Sequence, residues 1–216
     1  MNNVMFFHVA TIGNYQLIVD RVFELLNKSG LYEQLHKVFV NIAGQEKVVI
    51  NQKNNQKIKI IPERAPLNKF EFSTLDLVKL YSDRRDANIL YIHTKGAGTP
   101  SNPCIDDWRE YMLYFNICKF SKALELLKEN DAVGVDLSFV PTKHFSGNIW
   151  WSKTSHIKTL SHAQDLPVVL SERHKAEFWI CSKEEGSYAS MHQSDINVYE
   201  RHLHRYEASR YEDCIN

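Results

Sequence analysis

The sequence predicts a mixed α/β domain, in which a mainly parallel β-sheet is flanked by α-helices. Short apolar runs alternate along the chain with longer segments whose apolar residues recur at helical spacing. In the second half strands outnumber helices, which indicates that the sheet is not entirely parallel. The 216 residues can bury one substantial core. We expect a single domain over residues 1–216, with 187–216 as a C-terminal extension whose end would suit a linker to a further domain.

The first part of the chain predicts a strand, a helix and a second strand. Residues 4–10 form a short apolar run, and Asn14 is placed to cap the amphipathic helix that follows. Residues 37–42 alternate between polar and apolar side chains, as a half-buried strand does. Two further apolar runs, 48–50 and 58–61, flank a polar stretch that predicts a hairpin tip or an exposed loop.

The middle of the chain shows the clearest alternation of helix and strand. Residues 73–76 (STLD) resemble a capping box, which predicts a helix that leads into a buried strand ending at His93. A loop with two glycines and two prolines follows this strand. Asp106 or Asp107 is then expected to cap a long helix that reaches to about Glu129.

The last third predicts two short strands and one further helix. The strands cover residues 131–135 and 147–151, and the second of them carries two adjacent tryptophans. Residues 173–180 are compatible with a helix. The sequence after residue 187 is rich in Tyr, His and Arg and has no clear period, so it predicts no regular element.

Composition disfavours several classes of protein. Lysine plus arginine equals aspartate plus glutamate at 26 each, so bulk charge does not favour nucleic acid or an anionic membrane as the partner. No run approaches the roughly 20 apolar residues that span a bilayer, and the N-terminal segment does not resemble a signal peptide. We expect a cytoplasmic monomer with reduced thiols. The cysteines are dispersed along the chain, at Cys104, Cys118, Cys181 and Cys214.

Polar residues and glycines are concentrated where two predicted strands end. The chain has neither a Gly-Lys-Ser/Thr phosphate loop nor a three-glycine dinucleotide fingerprint. In open α/β sheets, however, ligands bind outside the carboxyl ends of strands. There Lys95 can neutralise phosphate and His93 can bind a divalent metal, although an ordinary turn is the alternative. The predicted nucleotide- and diphosphate-binding residues are Ala10, Thr11, Asn14, Thr94 and Lys95.

A third polar segment lies at residues 144–151 (HFSGNIWW). It places aromatic rings beside a Gly-Asn pair, an arrangement suited to stacking on a sugar while an amide binds its hydroxyl groups. Adjacent strand residues face opposite sides of a sheet, so core packing is an equal alternative for the tryptophans. The predicted sugar- or acceptor-binding residues are Gly147, Asn148, Trp150 and Trp151.

Four segments together resemble GT-A-type glycosyltransferases. They are residues 91–96 (YIHTKG), 107–109 (DWR), 144–151 and 176–179 (AEFW), and the similarity extends from the first strand through the last of these. Within that class, the chain resembles the group related to rhamnan synthesis protein F and to a glycosyltransferase domain encoded by large chlorella viruses. The resemblance implies a GT-A-like fold and, for a viral protein, synthesis of capsid glycoprotein glycans in the host cytoplasm.

The resemblance also implies a UDP-sugar donor, a glycan or glycoprotein acceptor and a bound Mn²⁺ or Mg²⁺. A hexose or 6-deoxyhexose, such as glucose or L-rhamnose, would be transferred with inversion. Most enzymes of this class hold the metal with an Asp-x-Asp motif, whose place is taken here by residues 93–95 (HTK). Either Lys95 offsets part of the leaving-group charge, or His93 keeps one metal position. By position alone, His192 is the second predicted metal ligand.

Inversion requires a carboxylate that accepts the proton of the acceptor hydroxyl. The candidates are Glu172, which we favour, and Glu177, which lies in the same segment after the Gly-Asn-Trp-Trp strand, together with Asp107. A helix cap is the more common role for an aspartate at the position of Asp107. Two other functions stay open: a metal-dependent phosphoesterase or nuclease, and a noncatalytic carbohydrate-binding module.

Overall fold

A computed structural model describes residues 1–53, 55–99, 102–197 and 200–212 of the chain. The strands are β1 (Asn2–Ala10), β2 (Leu35–Ala43), β3 (Ile58–Ile60), β4 (Ala87–His93), β5 (Ala132–Gly134), β6 (Leu137–Ser138), β7 (His144–Phe145), β8 (Trp150–Lys153) and β9 (Tyr188–Ser190). The α-helices are α1 (Tyr15–Lys28), α2 (Leu31–Gln34), α3 (Phe72–Ser82), α4 (Pro103–Leu113), α5 (Phe120–Glu129), α6 (Thr154–Ile157) and α7 (His174–Phe178). A π-helical turn, Tyr114–Cys118, lies between α4 and α5.

The main structural unit is a sheet with the strand order β3-β2-β1-β4-β8-β5-β9, and β6 pairs separately with β7. Strand β8 runs antiparallel to its neighbours β4 and β5, whereas every other pair in the large sheet is parallel. The prediction of a mixed, mainly parallel sheet flanked by helices is therefore confirmed. No helix in the described ranges is both long enough and apolar enough to cross a membrane.

Helices cover both faces of the sheet. Because side chains alternate along a strand, β1 and β4 contribute residues to the core on each face. In β1, Met5 and Phe7 pack against α1, α4 and α5 on one face. Val4 and Phe6 pack against α3, α6 and α7 on the other. Burial on both faces accounts for the nearly continuous apolar runs of β1 and β4.

The long helix expected after the central loop is interrupted by the π-helical turn. There the Lys119 N–H donates to the Tyr114 carbonyl at 3.0 Å, five residues back. The Asn116 carbonyl is thereby free to accept a 2.9 Å hydrogen bond from Nε1 of Trp151. A buried indole N–H needs such a partner, and the break in the helix provides it.

The structure corrects the predicted caps of α3 and α4 and, for α1, confirms the position of the cap residue but not its hydrogen bond. The first N–H groups of α4 donate to the side chain of Asn102, so neither Asp106 nor Asp107 caps this helix. Asn14 does precede α1, but its side chain forms no capping hydrogen bond. Helix α3 already includes Ser73, which therefore starts no capping box. The apolar pattern identified all three helices, whereas the polar residues misplaced the first turns of α3 and α4.

Two segments differ from the expected layout. Residues 48–50 form no strand, and β3 pairs in parallel with β2, so the hairpin alternative is wrong. The described residues 51–53 and 55–57 lie in a loop, which was the other alternative. The segment expected as a C-terminal extension contributes β9 to the sheet and buries Tyr206 and Tyr211 in the core. Cys104, Cys118 and Cys181 are free thiols, as expected. Cys214 lies outside the described residues.

A buried polar layer connects β1 and β2 to the start of α3. The hydroxyl of Thr74 accepts a 2.9 Å hydrogen bond from Nδ2 of Asn41 and lies 2.7 Å from Nδ1 of His8. The Thr74 hydroxyl thereby connects the His8 ring of β1 to the Asn41 amide of β2. Burial lowers the pKa of His8 to about 4, opposed by the carboxylate of Glu71 and assisted by His93.

The lowered pKa of His8 predicts that the fold loses stability in mild acid. The unfolded chain binds a proton at this residue near pH 6.5, whereas the folded chain binds it only near pH 4. The free energy of unfolding should therefore fall by about 3 kcal/mol as the pH decreases across this interval. Urea unfolding at a series of pH values measures the loss. The non-titrating variant His8→Gln should show a flatter profile, and parallel profiles would contradict the prediction.

Candidate functional site

The carboxyl ends of β1 and β4 lie side by side near the centre of the sheet. Strands β2 and β3 extend the sheet on one side of this pair, and β8, β5 and β9 extend it on the other. The strand order therefore reverses between β1 and β4, and such a switch point is where open α/β sheets bind ligands. Because β8 is antiparallel, the residues before it, Gly147 and Asn148, face the same edge.

Three of the predicted nucleotide-binding residues join the strand ends to each other. The Ala10 N–H donates to Oγ1 of Thr94 at 3.0 Å, and the Thr94 N–H donates to the His8 carbonyl at 3.1 Å. Both the N–H and the hydroxyl of Thr11 donate to the Ala43 carbonyl. These backbone and hydroxyl groups form hydrogen bonds within the protein, so Ala10, Thr11 and Thr94 support the edge of the sheet where the strands end.

Asn14 lies at the rim of this edge, against the loop that follows β4. Its N–H donates to the Ala97 carbonyl at 3.2 Å. Gly13 approaches the same carbonyl so closely, with a φ of +53°, that a Cβ would lie 1.9 Å from its oxygen. Oδ1 of Asn14 is buried and has no hydrogen-bond partner in the described part of the chain. A buried acceptor of this kind suits a ligand N–H.

A group of polar residues fills the edge next to β4, and we call Glu71, His93, Lys95, Gly147 and Asn148 the strand-end site. His93 places Nε2 2.8 Å from the Gly147 carbonyl and Nδ1 3.4 Å from Oε1 of Glu71. Because a carbonyl can only accept, Nε2 carries the ring hydrogen. The carboxylate and the imidazole are thus oriented toward each other.

Glu71 makes several contacts within this site. Its Oε2 accepts hydrogen bonds from Nδ2 of Asn148 at 2.5 Å and from the Tyr91 hydroxyl at 2.8 Å. Burial by itself would raise the pKa of Glu71, but two neighbouring histidines, the Tyr91 hydroxyl and Lys95 outweigh burial and lower the pKa. The carboxylate is therefore ionised at neutral pH.

The Gly147-Asn148 pair forms a left-handed turn beside β4, with φ values of +84° and +58°. A Cβ on Gly147 would lie 2.4 Å from Sδ of Met112 and 3.2 Å from the Trp108 ring, so the position requires glycine. The Gly147 N–H donates to Oε1 of Glu177 at 2.8 Å. The turn is thus held on one side by Glu177 and on the other by the ring of His93.

Lys95 supplies the positive charge of the strand-end site. Its Nζ lies 4.0 Å from the ring centroid of Trp108, and no salt bridge between described residues includes it. Its charge contributes to the lowered pKa of Glu71 and, after the larger effect of burial, to the lowered pKa of His174. An ammonium held on an aromatic ring without a carboxylate partner is available to an anionic ligand.

The three predicted catalytic carboxylates lie in different surroundings. Glu177 contacts the strand-end site through the Gly147 N–H. Glu172 is exposed and forms a 2.9 Å ion pair with a nearby lysine. Asp107 lies on α4 and pairs with Arg205, so it anchors the C-terminal segment. Of the three, Glu177 is the one that the structure brings to the site.

Burial corrects the expected sugar-stacking role of Trp150 and Trp151. Both side chains are 0% exposed and belong to the cores on opposite faces of the sheet. Trp150 stacks on Tyr91, with 5.0 Å between ring centroids, and donates its indole hydrogen to Oδ1 of Asn148. It therefore supports the site from below, and the ring next to Lys95 is that of Trp108 on α4.

The structure does not bring His192 to His93. Nδ1 of His192 lies 3.0 Å from the Tyr111 hydroxyl, and its ring stacks on Phe115 at 4.9 Å. Across the ranges that the structure describes, no three or more His, Cys, Asp or Glu side chains gather in a group that could hold a metal. Of the two predicted ligands, His93 is the one next to the strand-end carboxylate.

Glu71 is the member of the strand-end site that the sequence did not predict, because it belongs to no recognisable motif. It lies between Phe70 and Phe72, immediately before α3. One signal was available, because a helix that leads into a parallel strand begins at the edge of the sheet where the strands end. A carboxylate just before such a helix is therefore delivered to the same edge as His93 and Lys95.

Several solved structures are similar to this chain at low sequence identity. HddC from Yersinia pseudotuberculosis is 13% identical, with 89% of this chain and 91% of that chain covered and a TM-score of 0.49. Rv0371c from Mycobacterium tuberculosis H37Rv is 6% identical, with 93% and 95% covered and a TM-score of 0.46. A complex of Rv0371C with manganese is 8% identical, with 94% and 98% covered and a TM-score of 0.45.

No curated protein matches the sequence. One protein-family profile does match, over residues 6–209, a range that includes the strand-end site and every strand from β2 to β9. The match also covers most of the C-terminal segment that packs against the sheet. The chain therefore belongs to the DUF8361 family, a domain of unknown function.

Proposed function

We propose that this protein is a GT-A-type glycosyltransferase, which moves a hexose or 6-deoxyhexose, such as glucose or L-rhamnose, from a UDP-sugar to a glycan acceptor. The observation that carries the proposal is the Lys95 ammonium, which lies on the Trp108 ring at the switch point of the sheet and forms no salt bridge with any described carboxylate. A sugar nucleotide joins a flat base to a diphosphate. The edge offers the base an acceptor on Asn14 that has no hydrogen-bond partner among the described residues, and it offers the phosphates a cation.

Lys95 has the properties needed to assist departure of the nucleotide. When the bond to the anomeric carbon breaks, negative charge builds up on the β-phosphate, and a positioned ammonium stabilises that charge. The ring of Trp108 keeps the ammonium in place without neutralising it. A divalent metal, when bound, would supply further positive charge to the diphosphate, and His93 is the predicted residue that would hold it.

Glu177 is the residue to which we assign proton acceptance from the acceptor hydroxyl in an inverting transfer. Its Oε1 accepts the Gly147 N–H at 2.8 Å, which places the carboxylate beside the strand-end site. Glu172 is exposed and paired with Lys175, so it is the weaker candidate. The hydrogen bond to one oxygen fixes the carboxylate and leaves the other oxygen to accept the proton.

The biological setting is proposed from the resemblance alone. Membership in the group related to rhamnan synthesis protein F and the chlorella-virus domain would make the acceptor a glycan or glycoprotein. A viral chain of this kind would act in the host cytoplasm during capsid glycan synthesis. The same resemblance supports uridine as the base and Mn²⁺ or Mg²⁺ as the metal.

Thermal unfolding with added nucleotides tests the proposed donor. UDP with Mn²⁺ should raise the Tm more than GDP or CMP with Mn²⁺, because a ligand that binds only the folded chain stabilises it by an amount that increases with the logarithm of its affinity. At a concentration of about 100 times Kd, the expected gain is about 2.7 kcal/mol. Equal shifts with all three nucleotides, or none with UDP, would argue against a UDP-sugar transferase.

A further inference from the structure

Glu71 and His93 face each other with two electron-pair donors. Nε2 of His93 donates to the Gly147 carbonyl at 2.8 Å and therefore carries the hydrogen of the neutral ring. The other nitrogen, Nδ1, then has a free lone pair. This lone pair lies 3.4 Å from Oε1 of the ionised Glu71. A cation that binds both electron pairs would join the two groups, and a proton on Nδ1 or a metal ion can do so.

The separation of these two atoms favours a metal ion. A protonated imidazole that donates to a carboxylate brings nitrogen and oxygen to about 2.7–2.9 Å, which is shorter than the observed 3.4 Å. Two ligands bound to one divalent ion at about 2.1 Å, with an angle of about 90–110° between them, lie about 3.0–3.4 Å apart. The distance between Nδ1 and Oε1 therefore matches one edge of a coordination sphere.

Neighbouring hydrogen bonds hold both side chains in this arrangement. Oε2 of Glu71 accepts from Tyr91 and Asn148, which turns Oε1 toward His93. The Gly147 carbonyl fixes the orientation of the imidazole ring. Metal ligands in proteins are commonly oriented by such outer hydrogen bonds, in particular by a carbonyl on the far nitrogen of a histidine.

We propose that Oε1 of Glu71 and Nδ1 of His93 are protein ligands of one divalent cation, whose coordination is completed by water and by the diphosphate of the donor. Two protein ligands hold a metal weakly, as is usual for ions that also bind substrate phosphates. Lys95, which attracts the diphosphate, follows His93 by two positions. The role of the diphosphate rests on the proposed function, whereas the Glu71–His93 pair rests on its own geometry.

The reciprocal dependence of metal and nucleotide is the main consequence of this arrangement. If the diphosphate completes the coordination, UDP increases the affinity for Mn²⁺, and Mn²⁺ increases the affinity for UDP by the same factor. Titration of Mn²⁺ into the full chain, followed by the electron paramagnetic resonance signal of free Mn²⁺, measures the first effect. We expect one Mn²⁺ per chain and an affinity at least about tenfold higher with UDP than without it.

Glu71→Gln is the variant that isolates the ligand pair. The amide oxygen can still accept from Tyr91 and Asn148, while the amide nitrogen faces Nδ1 of His93 and can donate to it. The fold should therefore persist, and affinity for Mn²⁺ should drop at least about tenfold. Asp76→Asn is the matched control, because it changes an exposed Asp–His pair whose Oδ1 and Nδ1 are 2.8 Å apart.

The outcomes separate the ligand pair from the proposed function. Loss of Mn²⁺ binding in Glu71→Gln but not in Asp76→Asn supports the pair, as does Mn²⁺-dependent broadening of the His93 ring signals in NMR spectra. Unchanged Mn²⁺ binding in Glu71→Gln, or broadening at His192 instead, would overturn it. Mn²⁺ bound at the pair without any effect of UDP would overturn the role of the diphosphate while the pair stands.

Discussion

The Asp136→Asn variant should lose about 3–5 kcal/mol of the free energy of unfolding. Asp136 and Arg201 form an ion pair in which each side chain is only 1% exposed. Removing the negative charge leaves the guanidinium buried without its counter-ion. Nε and Nη1 of Arg201 already lack hydrogen-bond partners within the described ranges, so the variant has little to compensate the loss. Urea unfolding at neutral pH measures the change.

The effect should concentrate in the C-terminal segment, because Asp136 connects it to the sheet. Asp136 follows β5, and its carboxylate accepts hydrogen bonds from the N–H and hydroxyl of Ser194, at 2.7 and 3.1 Å, after β9. The Tyr111 hydroxyl on α4 donates to the same carboxylate at 3.2 Å. Limited proteolysis should therefore cleave the segment after β9 sooner in the variant than in the wild type.

Asp195→Asn is the control for this prediction. Asp195 forms an ion pair with Arg210 in the same segment, but the two side chains are 67% and 43% exposed. Solvent screens an exposed pair, so the variant should lose less than about 1 kcal/mol. Equal losses at Asp136 and Asp195 would contradict the structural role of the buried pair.

The parts of the fold that depend on local pattern could be predicted from the sequence. Strands β1 and β4 are apolar nearly throughout because both of their faces are covered. Their polar ends could be predicted as a site, because parallel strands deliver their carboxyl ends to one edge. His93 and Lys95 lie there as expected, and Gly147 and Asn148 reach the same edge because β8 is antiparallel.

Features that depend on long-range contacts could not be predicted in this way. Glu71 meets His93 only because the start of α3 and the end of β4 come together in space. The π-helical turn leaves a carbonyl free for Trp151, a partner from a different strand. Tyr206 and Tyr211 pack edge-on against Tyr111, and such aromatic contacts from irregular turns leave no period in the sequence.

Lys95→Met should reduce sugar transfer by about 10²–10³-fold, while the Tm stays close to that of the wild type. Methionine keeps most of the length of the side chain, so it can still cover Trp108, but it lacks the charge that would stabilise the departing diphosphate. Because Lys95 forms no salt bridge among the described residues, no buried partner is left behind. Release of UDP from a UDP-hexose, with and without a glycan acceptor, measures the reaction.

A second lysine that lies on an aromatic ring provides the control, because it tests whether the position of the charge matters. Lys143 also lies on a ring, with Nζ 5.0 Å from the centroid of Tyr188, but outside the strand-end site. Lys143→Met should therefore leave UDP release unchanged. Lys95→Arg keeps the charge and should retain more activity than Lys95→Met, although a guanidinium differs in shape and hydrogen bonding. Full activity in Lys95→Met would remove Lys95 from the reaction and, with it, the observation on which the proposed function depends.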